Sequence, residues 1–353
     1  MRVGITYLSM SSSIDRSTTE RKYHEFFDQV EWANDRGFAG IWITEHHFST
    51  YSVSASPLVL LAKAATIAPN LRIGTGILVL PLWDPRRLVA DVSTLDVLSG
   101  GRFDLGIGRG YQPHEFHGFG RDLDDSRPRF EEHVELILKL FTESDTTYQG
   151  KFYEVNAPVT VLPRPAQTPH PPIWLAAVSE ESTRFAVEQG FNFLGLALST
   201  PAELAQQWEL IRRLGKEAGR STDGIEYGAN RFVYCATDPD GRRLAAREVA
   251  RQIQVSRSLA QGAEPVLGVA PNPAAIDPAD EELAFERLLA GTPEQIVEQL
   301  ADLADAGVTY VNAGFQYGEL STELADASAR LFADEVLPAV GQFARPAVAA
   351  AGS

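Results

Sequence analysis

Eight short apolar runs, each followed by a longer stretch with helical spacing, constrain this chain more than any single motif. The runs fall at 3–8, 40–44, 71–75, 103–107, 173–177, 193–197, 226–235 and 308–313. Short runs bounded by turn signals and separated by amphipathic helices read as buried parallel strands with crossover connections. The first helix is expected over 20–36, with Tyr23, Phe26, Phe27, Val30 and Ala33 on one face. Ser17 and Glu20 form a capping-box pattern ahead of it, and Gly37 closes it. Further helices are expected over 57–68, from Asp84-Pro85 to 98, and over 128–141, 180–189, 201–218, 244–259, 293–306 and 321–336. Eight alternations predict an α/β fold, a (β/α)8 TIM barrel with insertions, as one domain over 1–340. A doubly wound open sheet is the alternative, but the first strand-to-helix turn carries no G-x-G-x-x-G. The insertions are placed at 143–171, which ends in a proline-rich stretch, and at 261–285, read as mobile. Residues 341–353 are expected to form a frayed tail.

Bulk properties exclude several functions. With 353 residues, 44% hydrophobic and 22% charged, the chain can build a core without staples. Its single cysteine, Cys235, rules out an internal disulfide framework and fits a reducing compartment. The N-terminus starts directly on an apolar run, without the pattern of a secretory signal, and no run approaches a membrane span. A cytoplasmic protein is expected. The net charge of −16 is spread along the chain, which makes nucleic acid and anionic membranes poor partners.

In a barrel enzyme the chemistry sits just beyond the strands' C-terminal ends. There the chain places Glu45, His46 and His47 after the second run, "GRGYQPHEFHGFGRDLDDSR" (108–127) after the fourth and "VSEEST" (178–183) after the fifth. All seven histidines precede residue 171, and His46, His47, His114 and His117 fall in loops of one barrel face. His114 and His117 with Glu45 and His46 could ligate zinc or iron. However, HEFH is not the H-E-x-x-H motif, its loop shows no clear helix, and His114 and His117 also read as surface loop residues. Arg109, Arg127, Ser179 and Ser182 form a second constellation suited to a phosphate, with arginine forks, hydroxyls and a helix N-terminus. The plainer alternatives are that Ser179 only caps its helix and that Arg109 only pairs with a carboxylate.

The stretches "WITEHHF" (42–48), "LRIGTGILVLPLWDP" (71–85), "LDVLSGGRFDLGIGRG" (95–110), "DSRPRFEE" (125–132) and "PPIWLAAVSEEST" (171–183) resemble the bacterial luciferase-like family of flavin-dependent monooxygenases. The resemblance runs through about residues 1–200 and returns more weakly at 286–340. It implies a TIM barrel that takes reduced FMN from a separate flavin reductase. With O2 and a C4a-peroxyflavin the enzyme then oxidises a small organic substrate. It implies His46 as acid/base, and Arg109, Arg127, Ser179 and Ser182, with Val178 beside them, around the flavin phosphate. It also implies a cis peptide at Gly76–Ile77 under the ring, Tyr111 at the ring's polar edge, and a homodimer. Glu45 and His47 read as supports of His46 or as structural anchors. Gly108 occupies the position of luciferase's reactive cysteine, which argues against light emission. Two alternatives stay open: an F420-dependent hydride-transfer oxidoreductase, and a non-catalytic flavin-binding or partner subunit. No metal is expected.

Overall fold

The computed structural model describes residues 1–343 except 9, 12 and 342, and not the side chains of 239 and 240. Most of the tail expected at 341–353 therefore lies outside the described residues.

Eight parallel strands close on themselves: β1 (Arg2–Tyr7), β2 (Gly40–Ile43), β3 (Arg72–Thr75), β4 (Phe103–Gly108), β5 (Ile173–Leu175), β6 (Asn192–Gly195), β7 (Tyr227–Cys235) and β8 (Tyr310–Gly314). Each pairs with the next, and β8 pairs back onto β1, which makes the sheet a barrel. The parallel pairing follows from the helices that cover the outer face. Alternate residues divide the strands into two surfaces. Ile5, Ile41, Ile73, Leu105, Phe193 and Val311 face out and join one core with the helices.

The inner face is different. Trp42, Trp174 and Tyr310 meet edge to face with ring centroids 5.3–5.9 Å apart, and Leu194 completes a separate buried cluster with them. Their polar edges are satisfied: Trp42 Nε1 donates to Tyr310 Oη at 3.0 Å, and Trp174 Nε1 to Asp104 at 3.3 Å. The rings fit because glycines face them. A Cβ on Gly74 would lie 2.7 Å from Trp42, and one on Gly4 would collide with the Tyr310 hydroxyl. This aromatic plug seals the lower barrel.

Local chemistry sets most strand-to-helix joints. Asp84 accepts from the amides of Arg86 and Arg87 ahead of Pro85, and Thr200–Glu203 and Thr292–Gln295 form capping boxes. The first helix departs from expectation. It spans Arg16–Ala33, its N-cap is Asp15, and Ser17 lies inside its first turn, so the Ser17/Glu20 box does not form. The 143–171 excursion holds an antiparallel hairpin (Thr146–Gln149 with Glu154–Val159). The 261–285 excursion is partly helical, over Pro278–Arg287, and leads into a short strand, Leu289–Gly291, paired with the end of β7.

Candidate active site at the barrel mouth

β2 ends at Ile43, and the next turn delivers Glu45, His46 and His47 to the mouth, all buried. Glu45 points across to the loop after β3. Its carboxylate accepts from the Val79 amide at 2.7 Å, Trp83 Nε1 at 2.9 Å and His47 Nε2 at 2.6 Å. Glu45 and His47 thus tie two strand ends together, which is the anchor role of the two expected for them.

The direct support of His46 is Glu115, which the sequence reading did not single out. It sits on a one-and-a-half-turn helix, Pro113–Gly118, in the loop read as having no clear helix. Its Oε1 accepts from His46 Nδ1 at 3.0 Å and from the His47 amide at 2.8 Å. Burial pushes the Glu115 carboxyl up, but these hydrogen bonds and the nearby imidazoles outweigh that and hold it below its ordinary value. An ionised carboxylate only accepts, so the proton of neutral His46 sits on Nδ1. Nε2, which has no partner among the described residues, presents its lone pair. Proline at the first helical position was the one sequence signal for this helix.

His114 Nε2 donates to the His47 carbonyl at 3.1 Å, while His117 is an exposed residue 3.8 Å from Glu264. Burial lowers the pKa of His114. No group of three or more potential metal ligands forms among the described residues. Of the aromatic residues at strand ends, Tyr51 packs edge-on against His46 at 4.7 Å and Tyr111 stands 6.2 Å away. Tyr111 Oη lies 3.1 Å from Ser256 on the helix Pro239–Ala260, which closes one side of the mouth. Phe315 packs outside the barrel against Phe38 and Phe332.

Arg109, Arg127, Val178, Ser179 and Ser182 converge on one cavity of about 210 Å3, with Phe130, Phe185 and Glu131 among the other residues of its wall. Three elements supply them: the end of β4, the start of the helix Ser126–Thr142 and the start of the helix Glu180–Gln189. Ser179 and Ser182 form a reciprocal capping box yet remain exposed to the cavity, so capping and lining coexist. Arg109 makes no ion pair among the described residues. Arg127 sits 3.2 Å from Glu181 and 3.8 Å from Glu131, exposed pairs that a stronger anion can displace. The Gly76–Ile77 peptide bond is cis. A Cβ on Gly108 would lie 2.7 Å from Ile77 Cδ1, so a side chain there would require Ile77 to shift. The space beside Gly108 is thus filled by Ile77 from the loop after β3.

Comparison with known proteins agrees with this fold. The family model described as luciferase-like monooxygenase matches residues 1–310. The oxygenase component of flavin-dependent trigonelline monooxygenase from Acinetobacter baylyi is 29% identical over 69% of this chain and 68% of its own. The crystal structure of monooxygenase RslO1 from Streptomyces bottropensis superposes with a TM-score of 0.80 at 26% identity, over 96% and 99% of the two chains. An F420-dependent secondary alcohol dehydrogenase superposes with a TM-score of 0.73 at 16% identity, over 96% and 99%, which shows the shared fold.

Proposed function

The chain belongs to the luciferase-like monooxygenase family, and on that premise we propose that it is the oxygenase of a two-component system. It takes reduced FMN from a separate reductase and uses O2 to oxidise a small organic substrate. The observation that carries this reading is the cavity in which Arg109, Arg127, Ser179 and Ser182 meet.

The residues fit a flavin mononucleotide. Two guanidiniums, two hydroxyls and the first amides of the helix Glu180–Gln189 suit one phosphate. Arg109 and Arg127 are the cations that line the cavity among the described residues, and Glu131 and Glu181 stand beside it. The longer acidic tail of F420 would meet those carboxylates, which favours FMN. Arg109, Arg127, Val178, Ser179 and Ser182 would hold the phosphate, and Gly76, Ile77 and Tyr111 would meet the ring. Reduced flavin, when bound, supplies the electron pair that activates O2.

The protein's own work is positioning, drying and proton handling. Glu115 fixes the ring of His46 and directs Nε2 away from its support, so Nε2 can take or return a proton at the reacting centre. The aromatic plug closes the well from below against water.

Titrating the purified chain with FMN and with F420 tests the cofactor, and Arg109→Ala should weaken FMN binding about tenfold. His46→Ala should bind FMN within about twofold of wild type. Supplied with reduced FMN and O2, it should lose oxidation of whichever substrate the wild type turns over by about a hundredfold or more. The substrate panel should include trigonelline, named for one relative. Tight F420 binding without FMN binding would overturn the cofactor reading. Unchanged turnover by His46→Ala would remove its role.

A further inference from the structure

The layer directly above the plug is polar, and one of its members is buried without a partner. Asn312 stands two residues beyond Tyr310 on β8, so its side chain leaves the same inward face. Its register partners are Asn230 on β7 and Gly4 on β1. Thr6, the next inward position of β1, reaches toward Gly314, where a Cβ would lie 3.3 Å from the Thr6 methyl. Asn312 is 1% exposed, and neither Nδ2 nor Oδ1 has a hydrogen-bond partner among the described residues. Asn230 and Thr6 are partly exposed although Ile5, Tyr7, Ala229 and Arg231 beside them are buried. Their exposed surface therefore faces the well.

A buried carboxamide has two donors and two lone pairs to match, and leaving them unmatched costs stability that leucine at the same place would not. A charged ligand group would find no counter-ion on β7. The nearest cation on β7, Arg231, turns its guanidinium to the carbonyls of Leu196, Ala197, Ser199 and Asn230. A neutral group with an N–H beside a C=O matches a carboxamide pair for pair.

We propose that Asn312, flanked by Asn230 and Thr6, is the recognition floor of the well and binds such an amide edge. The inference rests on the reading that the well takes a flavin and an organic substrate. Either can supply this chemistry, the flavin through its imide edge and the substrate through a lactam or carboxamide.

The test uses the full chain and Asn312→Leu, with Asn312→Ser as a second variant if leucine prevents folding. Binding of FMN is measured first. Calorimetric binding of δ-valerolactam and of cyclohexanone, which lacks the N–H, follows on FMN-loaded protein. Loss of about tenfold in FMN affinity by the variant assigns the floor to the flavin edge. Retained FMN affinity, with loss of a wild-type preference of about tenfold for the lactam, assigns it to the substrate. A folded variant that matches wild type in FMN affinity and in the affinities of both probes overturns the proposal, leaving Asn312 to a structural water. If the wild type binds no FMN, the flavin reading fails by itself, and the two probes on flavin-free protein still decide the floor.

Discussion

Two buried groups concentrate the testable consequences at the scale of single residues. Glu115 sets which nitrogen of His46 carries the proton. Glu115→Gln removes the charge and can present its amide N–H to Nδ1, which favours the opposite tautomer. Turnover should fall about tenfold to a hundredfold with FMN affinity unchanged, because the partner of the proposed acid/base group is lost and the proposed cofactor cavity is not. Equal losses in turnover and FMN affinity would mean that Glu115 only braces the fold. His133 is the second group. It lies fully buried on the helix Ser126–Thr142, with Nδ1 3.2 Å from the Tyr153 hydroxyl, and burial lowers its pKa to about 3. The folded state therefore holds it neutral, and its contribution is complete above the ordinary value of 6.5. As pH falls below that toward the folded value, the unfolded chain binds the proton first, and stability should drop by up to about 1.4 kcal/mol per pH unit. Urea unfolding between pH 7.5 and 5.5 should show this slope in wild type and a flatter one in His133→Gln. Parallel slopes would refute it. Glu115 was hidden in the sequence because its partner His46 lies 69 residues away, and no local pattern links them.

The elements divide into those whose ends are written locally and those whose ends are set by tertiary contact. Thr200, Thr292 and Asp84 announce their helices because a cap is chemistry between neighbours three residues apart. The first helix begins earlier than its apolar face suggests, since Asp15 rather than the box at Ser17 marks its start. Pro113–Gly118 is too short for periodicity to show, and glycines flank it. The loop after β3 depends on a contact of the second kind. Glu45 is its main tether, and Glu45→Ala would leave the Val79 amide and the half-buried Trp83 indole without their acceptor. A loss of about 3–5 kcal/mol in urea unfolding is expected, with Glu45→Gln milder. A loss under about 1 kcal/mol would show that the two strand ends hold without it.

At the scale of the whole molecule, the barrel was legible because alternation of strand and helix survives errors of a few residues at every boundary. The cavity proposed for the phosphate was legible as residue types, although only the fold could show that Arg109, Arg127 and Ser179 meet. Asn312 was not legible, because an asparagine on a strand looks ordinary until both neighbours are known. Since the cavity joins the end of β4 to two helix starts, FMN binding should stabilise the barrel as one unit. At about a hundredfold excess over its dissociation constant, FMN should add about 2.7 kcal/mol, read as a rise in melting temperature. Arg127→Ala should shrink that rise at fixed FMN. A ligand-independent melting temperature in wild type would contradict this linkage.

The aromatic plug also shapes how this barrel can change. Its three rings exist only because neighbouring strands gave up side chains at positions such as Gly4 and Gly74. Deepening the well would require a ring and its glycine seats to change together, and each intermediate would carry a clash or a void. A single substitution at Asn230 or Thr6, both partly exposed on the inner face, alters the wall without a paired change. New specificities are therefore reachable one mutation at a time in the layer above the plug, whereas the depth of the barrel is effectively frozen.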